Sequence, residues 1–260
     1  MLKPAVYIVG AGSGDPELLT VKAYKLLADA DVILFADSLV PRQILEHSRS
    51  DAEKIPTGNK TLEDILPVMI DRVRSGCSVV RLHSGDPTLY GAVHEQMQAL
   101  AEADIPFEVV PGISAFQAAA AKLKVELTVP ELVQTIILTR TSGAASAVPE
   151  AEELTSLAAH RASLCLYLSA RHVEISQEKL MRHYAADTPV AVCYRVGWED
   201  EKIWVVPLSE MAAVTQQEKL IRTTMYIISP ALAANTKTRS RLYHPEHSHL
   251  FRRSRESFQN

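Results

Sequence analysis

Four short apolar runs mark the first half of the chain: AVYIVGAG, DVILFA, SVVRLH and FEVVPG. Each is followed by a stretch with apolar residues every three or four positions: PELLTVKAYKLLA, LEDILPVMIDRVRS, LYGAVHEQMQALAEA and SAFQAAAAKL. That spacing predicts helices, and the short runs predict strands. Strand and helix in alternation leave few options beyond parallel strands joined by helices that cross over the sheet faces. Pro67 weakens the second helix prediction, because proline removes a helical hydrogen bond.

Around Glu131 to Gln134 the rhythm restarts. TIILTR, SLCLYLS, PVAVCYRV, KIWVVPL and TMYIIS predict five more strands, with EELTSLAAH, SQEKLMRHYA and LSEMAAVTQQ as helices between them. TSGAASAVPE, small and proline-containing, predicts a loop. The expected fold class is α/β, with two α/β domains: residues 1–130 with a mainly parallel sheet and residues 131–235 with a mixed one. A length of 260 residues suits that division. Two such domains leave a cleft between them as the expected home of a small-molecule site. Residues 236–260 are set apart as a basic tail. From Asn235 onward the chain holds six Lys or Arg against two Glu, although its net charge as a whole is −4. A tail of this kind is expected to be solvated or to touch an acidic ligand or a partner.

No run approaches the ~18 apolar residues of a membrane helix, and MLKPAVYIVGAG leads straight into a strand pattern without the zones of a signal peptide. Cys77, Cys165 and Cys193 are isolated and odd in number. They read as core thiols rather than as a disulfide framework or a metal site. A cytoplasmic setting without membrane or nucleic-acid partners is expected, since the overall charge disfavours the latter. HPEHSH holds His244, His247 and His249 but lacks the Cys or carboxylate pattern of a metal site, so no metal is expected.

SGDP occurs twice, in VGAGSGDPELL and in LHSGDPTLYG. Glycine lets the chain turn sharply on leaving a strand. Asp15-Pro16 and Asp86-Pro87 each fit a helix N-cap followed by proline at the first helical position. Outside the tetrapeptide the two segments share few residues, so one good turn used twice explains them better than duplication. Gly10-Ala11-Gly12-Ser13-Gly14 has the spacing G-x-G-x-G rather than the G-x-G-x-x-G of dinucleotide folds, and no P-loop lysine follows. A carboxylate also stands at each helix start, where a phosphate would sit. An adenosine-type ligand without phosphates fits such turns better, which disfavours a nicotinamide-dependent oxidoreductase.

GAGSGDPELLT, SGDPTLYG and VVPGISAFQAAAA resemble the signature loops of the tetrapyrrole methyltransferases, and the resemblance runs from about Val6 to Arg253. FADSLVP, VELTVPELVQTIILTRTSG, DTPVAVCYRVGWEDEKIW and SRLYHPEHSHLFR resemble those members that methylate a corrin precursor of cobalamin. The resemblance implies a tetrapyrrole methyltransferase-like fold, S-adenosyl-L-methionine as cofactor, S-adenosyl-L-homocysteine as product, a tetrapyrrole substrate and a homodimer. Methylation of another tetrapyrrole, such as uroporphyrinogen III or a different precorrin, is the nearer alternative. A non-catalytic tetrapyrrole carrier is the more distant one. In the family the first loop reads G-P-G-D-P; here Ser13 takes the place of that proline and adds a hydroxyl.

The same resemblance implies that Ser84, Gly85, Asp86 and Leu89 hold the amino-acid and ribose end of the cofactor. Ser13, Ser114, Ala115, Leu168, Val196 and Met225 are implied as further cofactor contacts. By composition alone Leu168, Val196 and Met225 would be plain core. Arg81, Arg140, Arg171 and Arg195 lie in or just after strand-like runs, where loops of an open α/β sheet gather a ligand. As planar cations they suit the carboxylates of a corrinoid, and with Asp15 and Tyr90 they form the expected substrate set. The sequence names no general base.

Overall fold

Buried residues alternate face by face along the first sheet. The computed structural model describes residues 2–142, 147–234, 244 and 246–252. The chain folds as two compact units: Met1–Lys122 with Cys193–Ile203, and Leu123–Val192 with Trp204–Asn260.

In the first unit the strands are β1 (Val6–Gly10), β2 (Val32–Phe35), β3 (Glu53–Pro56), β4 (Val79–His83) and β5 (Phe107–Val110). They form one sheet in the order β3-β2-β4-β1-β5, every pair parallel. The helices are α1 (Val21–Asp29), α2 (Arg42–Leu45), α3 (Leu62–Arg74), α4 (His94–Glu102) and α5 (Ala115–Leu123). Val9, Ile33, Val80 and Leu82 pack with Ala23, Leu26 and Leu27 of α1 and Ile44 of α2. Val6, Ile8, Val32, Leu34 and Val79 pack instead with Ile65 and Met69 of α3 and Leu100 of α4. Strands buried on both faces in this way read as nearly continuous apolar runs, which is why they were legible.

Adjacent strands β1 and β4 therefore send their connections to opposite faces, β1 to α1 and β4 to α4. A crevice opens at the carboxyl ends of two such strands, and in open α/β sheets ligands lodge there. Both SGDP turns lie at this point.

Neither turn opens its helix directly. Asp15 caps only a single 3-10 turn, Pro16–Leu18. Leu19 is then extended and packs on the core, and Thr20 caps α1 by accepting from Ala23 N at 3.1 Å. After Asp86-Pro87 the chain turns twice through the left-handed region, at Tyr90 (φ 56) and Ala92 (φ 48), and α4 starts only at His94. At Gly91 a Cβ would stand 2.2 Å from Pro87 O, so the chain folds back on itself there. Pro67 does not break α3, which a Thr61/Asp64 capping box anchors and Ile65, Met69 and Val73 bury. The short β3 and α2 carry too weak a pattern to be read from sequence: β3 is EKIP, largely exposed at the sheet edge.

The second unit holds β6 (Ile136–Arg140), α6 (Leu154–Ala158), β7 (Ser163–Tyr167), α7 (Val173–Met181), α8 (Met211–Gln217) and β10 (Thr224–Ile228). The sheet order is β6-β7-β10-β8-β9, where β8 is Pro189–Tyr194 and β9 is Lys202–Pro207. β6 and β7 run parallel and β10 is antiparallel to β7, so the sheet is mixed. Part of the TSGAASAVPE loop and most of the basic tail lie outside the described residues. Among the described residues no helix is long and apolar enough to cross a membrane.

Candidate functional site

Three glycine-bearing loops meet at the carboxyl ends of β1, β4 and β5. Gly12 N donates to Gly85 O (3.2 Å) and Gly85 N to Gly12 O (2.7 Å), which ties the two SGDP turns to each other. The loop after β5 presses on both. A Cβ on Gly112 would lie 2.2 Å from Gly85 O and 2.9 Å from backbone atoms of Gly10, and one on Gly10 would lie 2.6 Å from Gly112 N. Only residues without side chains allow this approach.

Asp86 fastens the arrangement. One carboxylate oxygen accepts from Gly112 N (3.1 Å), the other from Thr88 N (2.8 Å) and the Thr88 hydroxyl. Leu89 N donates to Asp86 O (3.2 Å), which keeps Leu89 on the same turn. Ser114 is buried and starts α5: its carbonyl accepts from Gln117 N and Ala118 N, and its own N–H donates to Gln117 Oε1 (3.0 Å). Ala115 is the first residue of that helix and is half-buried. Ser84 is half-buried between β4 and Gly85, and Tyr90 is exposed.

The turn at 195–201, which belongs to the first unit, covers the first loop. Trp198 leaves no room at Gly14, where a Cβ would lie 2.4 Å from its Cδ1. Gly197 (φ 84) sits so close that a Cβ would meet Asp15 N at 2.7 Å and Ser13 Oγ at 3.2 Å. Asp15 accepts from Glu17 N at 2.9 Å. The Ser13 hydroxyl is shielded and has no hydrogen-bond partner. Arg195, itself left-handed (φ 47), stacks its guanidinium 4.8 Å from the Trp198 ring and 5.3 Å from that of Tyr194, and Nη1 pairs with Asp200 at 2.6 Å. Val196 beside it is buried.

Of the expected residues, the first unit thus brings together Ser13, Asp15, Ser84, Gly85, Asp86, Leu89, Ser114, Ala115, Arg195 and Val196. Arg81 lies deeper, on β4 rather than on a loop. It is 7 % exposed, with Nη1 donating to Thr57 Oγ1 (3.1 Å) and Nε to Gln96 Oε1 (3.4 Å). Burial among neutral partners lowers its pKa to about 10. Two residues on along the strand, His83 is equally buried and its Nε2 has no hydrogen-bond partner. Burial first, and then the Arg81 charge, push its pKa down to about 3.

The depressed His83 makes stability depend on pH. Unfolded histidine takes up a proton near pH 6.5, whereas folded His83 stays neutral down to about 3. The stability it contributes is full above pH 6.5 and drains away as pH falls towards 3. Between pH 7 and pH 5 the loss from this group alone should be about 2 kcal/mol. Urea unfolding at both pH values should show a smaller acid loss in His83→Gln than in the native chain.

The other four expected residues belong to the second unit. Met225 is buried in β10 and Arg140 ends β6, with Nη2 donating to Ala147 O at 3.3 Å. Arg171 is exposed on a surface hollow with His172, Glu174 and Lys219. Leu168 follows β7 in the left-handed region (φ 52) with 67 % of its surface exposed. Gly112, Gly197 and Trp198 escaped the sequence reading of the site. Two glycines and a tryptophan in loops carry no chemistry of their own, and their part becomes visible only through contacts distant in sequence. Among the described residues no group of three His, Cys, Asp or Glu is placed to hold a metal ion.

Residues 5–212 match the model of the Tetrapyrrole (Corrin/Porphyrin) Methylases. The cobalt-precorrin-4 C(11)-methyltransferase of Methanocaldococcus jannaschii is 41 % identical over 97 % of this chain and 98 % of its own length. The precorrin-4 C(11)-methyltransferase of Pseudomonas aeruginosa is 43 % identical over 95 % of this chain and 98 % of its own. Among solved structures, a cobalt precorrin-4 methyltransferase from cobalamin biosynthesis superposes with a TM-score of 0.85 at 41 % identity, covering 88 % of this chain and 96 % of that one. A uroporphyrin-III C-methyltransferase of Thermus thermophilus, complexed with S-adenosylhomocysteine, gives 0.73 at 27 % identity over 88 % of this chain and 99 % of the other.

Proposed function

Because the chain belongs to the tetrapyrrole (corrin/porphyrin) methylases, we propose that it methylates C-11 of precorrin-4 or cobalt-precorrin-4 in cobalamin biosynthesis, with S-adenosyl-L-methionine as methyl donor. The observation that carries the reading is a likeness above 40 % identity, over nearly the whole length of both partners, to enzymes named for that position on that ring. One of the two is named for the cobalt-containing substrate and the other for the metal-free one, so the proposal covers both.

The loops of the first unit suit the cofactor. They offer backbone groups at close range and a shielded Ser13 hydroxyl without a hydrogen-bond partner among the described residues. When bound, S-adenosyl-L-methionine supplies an electrophilic methyl on a positively charged sulfur. Ser84, Gly85, Asp86, Leu89, Ser114 and Ala115 would hold it at the crevice. Arg195, stacked on Trp198, would face a substrate carboxylate. The work of these residues is to orient: holding two reactants in line is worth up to ~7–11 kcal/mol of barrier in favourable cases. Shielding the sulfonium from water adds to this, because positive charge disperses as the methyl moves. A homodimer in the cytoplasm completes the proposal.

Titration calorimetry with S-adenosylhomocysteine tests the cofactor. Saturable binding near one molecule per chain is expected in the native protein, and none in Asp86→Arg. No binding by the native protein would end the methyltransferase reading. Methyl transfer from labelled donor to precorrin-4, cobalt-precorrin-4 and uroporphyrinogen III then tests the substrate: preference for uroporphyrinogen III would overturn the C-11 assignment.

A further inference from the structure

The turn at 195–201 joins β8 to β9 and packs, as part of the first unit, on the GAGSGDP loop. Its closed form is incompletely satisfied. Among the described residues, the loop leaves the shielded Ser13 hydroxyl without a hydrogen-bond partner, and the turn does the same with the shielded Arg195 Nε. Shielded polar atoms without partners are unfavourable and rare in native structures. Arg195 adds backbone strain, because its φ of 47° lies in the left-handed region that an arginine disfavours. Strain of this kind clusters at ligand clamps and switch regions.

The fastenings are light. Gln43 Nε2 donates to the exposed Glu199. The half-exposed Asp200 takes Arg195 Nη1 at 2.6 Å, and Lys122 Nζ stands 3.5 Å from Glu201. Surface pairs such as these contribute little each. Glu201 also accepts from Gly197 N at 2.6 Å, which holds the turn in shape. The main contact with the loop is the Trp198 ring over Gly14, with Gly197 against Asp15 and Ser13. Opening would let Ser13 and Arg195 bond to water and would relax the backbone at 195, while giving up the Trp198 contact. Opposed effects on so short a segment favour two states close in energy.

We propose that the 195–201 turn is a gate over the GAGSGDP loop, latched by Trp198, that swings aside to admit a ligand to the crevice at the carboxyl ends of β1 and β4. The inference rests on the reading of that crevice as the cofactor site and adds how it is entered. Loop ends such as the junctions with β8 and β9 are where hinges of this kind lie.

Hydrogen exchange at the Asp15 amide, which Gly197 covers, tests the motion without ligand. Ser13→Ala removes the unpaired hydroxyl from the closed form and should slow exchange about fivefold. Glu201→Gln loosens the turn and should quicken it by about as much. Exchange that fails to slow in the first, or to quicken in the second, would overturn the gate. Trp204→Phe leaves Trp198 as the one tryptophan of the chain. On mixing with S-adenosylhomocysteine its fluorescence should change at a rate that levels off with concentration, at the rate of opening. A rate proportional to concentration throughout, beside normal calorimetric binding, would overturn the gate while the cofactor reading stood. A native chain that binds no S-adenosylhomocysteine would end the cofactor reading, and exchange at Asp15 would still decide whether the turn opens.

Discussion

Adding one methyl group at residue 112 should cost this protein the S-adenosylhomocysteine affinity proposed for it. In Gly112→Ala the new Cβ would have to share space with Gly85 O at 2.2 Å and with Gly10 atoms at 2.9 Å. All of these are backbone atoms, one in the last residue of β1 and one in the bridge that joins the SGDP turns, so no flexible side chain can swing aside. Overpacking in a tight interior costs ~1–3 kcal/mol and occasionally more; with backbone on every side this variant belongs at the upper end. Relief must come from parting the β5 loop from the β1 and β4 loops, which is the geometry on which the crevice depends. S-adenosylhomocysteine affinity should fall by about a hundredfold or more, equivalent to ~2.7 kcal/mol. Calorimetry measures the affinity and circular dichroism checks that the sheet remains. Native-like affinity would show that the loops have slack the distances do not reveal.

Asp86→Ala should come second. Its carboxylate accepts two backbone N–H bonds, from Gly112 and Thr88, and the Thr88 hydroxyl besides. Hydrogen bonds to a charged group contribute ~1.5–3 kcal/mol each, and a shielded donor left without its acceptor costs a similar amount. Half-exposure discounts both figures, so a loss of roughly 2–3 kcal/mol in loop order is expected. The sheet should stay intact and binding should weaken about thirtyfold or more. Asp86→Asn should fall between the two, because its amide can accept from one backbone N–H but presents its own N–H₂ to the other. Equal binding by Asn and Asp forms would mean the charge is immaterial and geometry alone matters.

Six strands, β1, β2, β4, β7, β8 and β10, were legible because burial almost throughout leaves them as apolar runs between turns, whereas the exposed edge strand β3 was not. The SGDP turns were legible as turns, and Asp15 does cap Pro16–Leu18 with proline at its start, but that is a single 3-10 turn, and α1 and α4 begin only at Val21 and His94. The local chemistry of Asp-Pro fits a helix N-cap, yet packing of the partly buried Leu19 against the core and the tight return at Gly91 won over local propensity. Arg81 shows a different limit. A sequence marks it as a cation near a strand end, whereas alternation along β4 turns it to the α3/α4 face with His83, among neutral partners. In the second unit Ser169 Oγ donates to Thr141 Oγ1 (2.9 Å), which lies 2.7 Å from Ser176 Oγ, and this buried hydroxyl chain lay beyond reach for another reason. Serine and threonine are common in loops, and only the third dimension shows three of them in line.

The placement of residues 193–203 bears on how the protein is made. They belong with residues 1–122, where Trp198 closes on Gly14 and Gly197 on Asp15. A ribosome delivers the first 122 residues early, then some seventy residues of the second unit, and only afterwards the turn that covers the first loop. The nascent first unit must therefore wait with its GAGSGDP loop uncovered while most of the second unit is synthesised. Domains otherwise tend to fold as units, N-terminal first. A gene fragment ending at Lys122 stays in that waiting state, whatever its sheet does, and the first unit can be completed only by a polypeptide that has grown past Ile203.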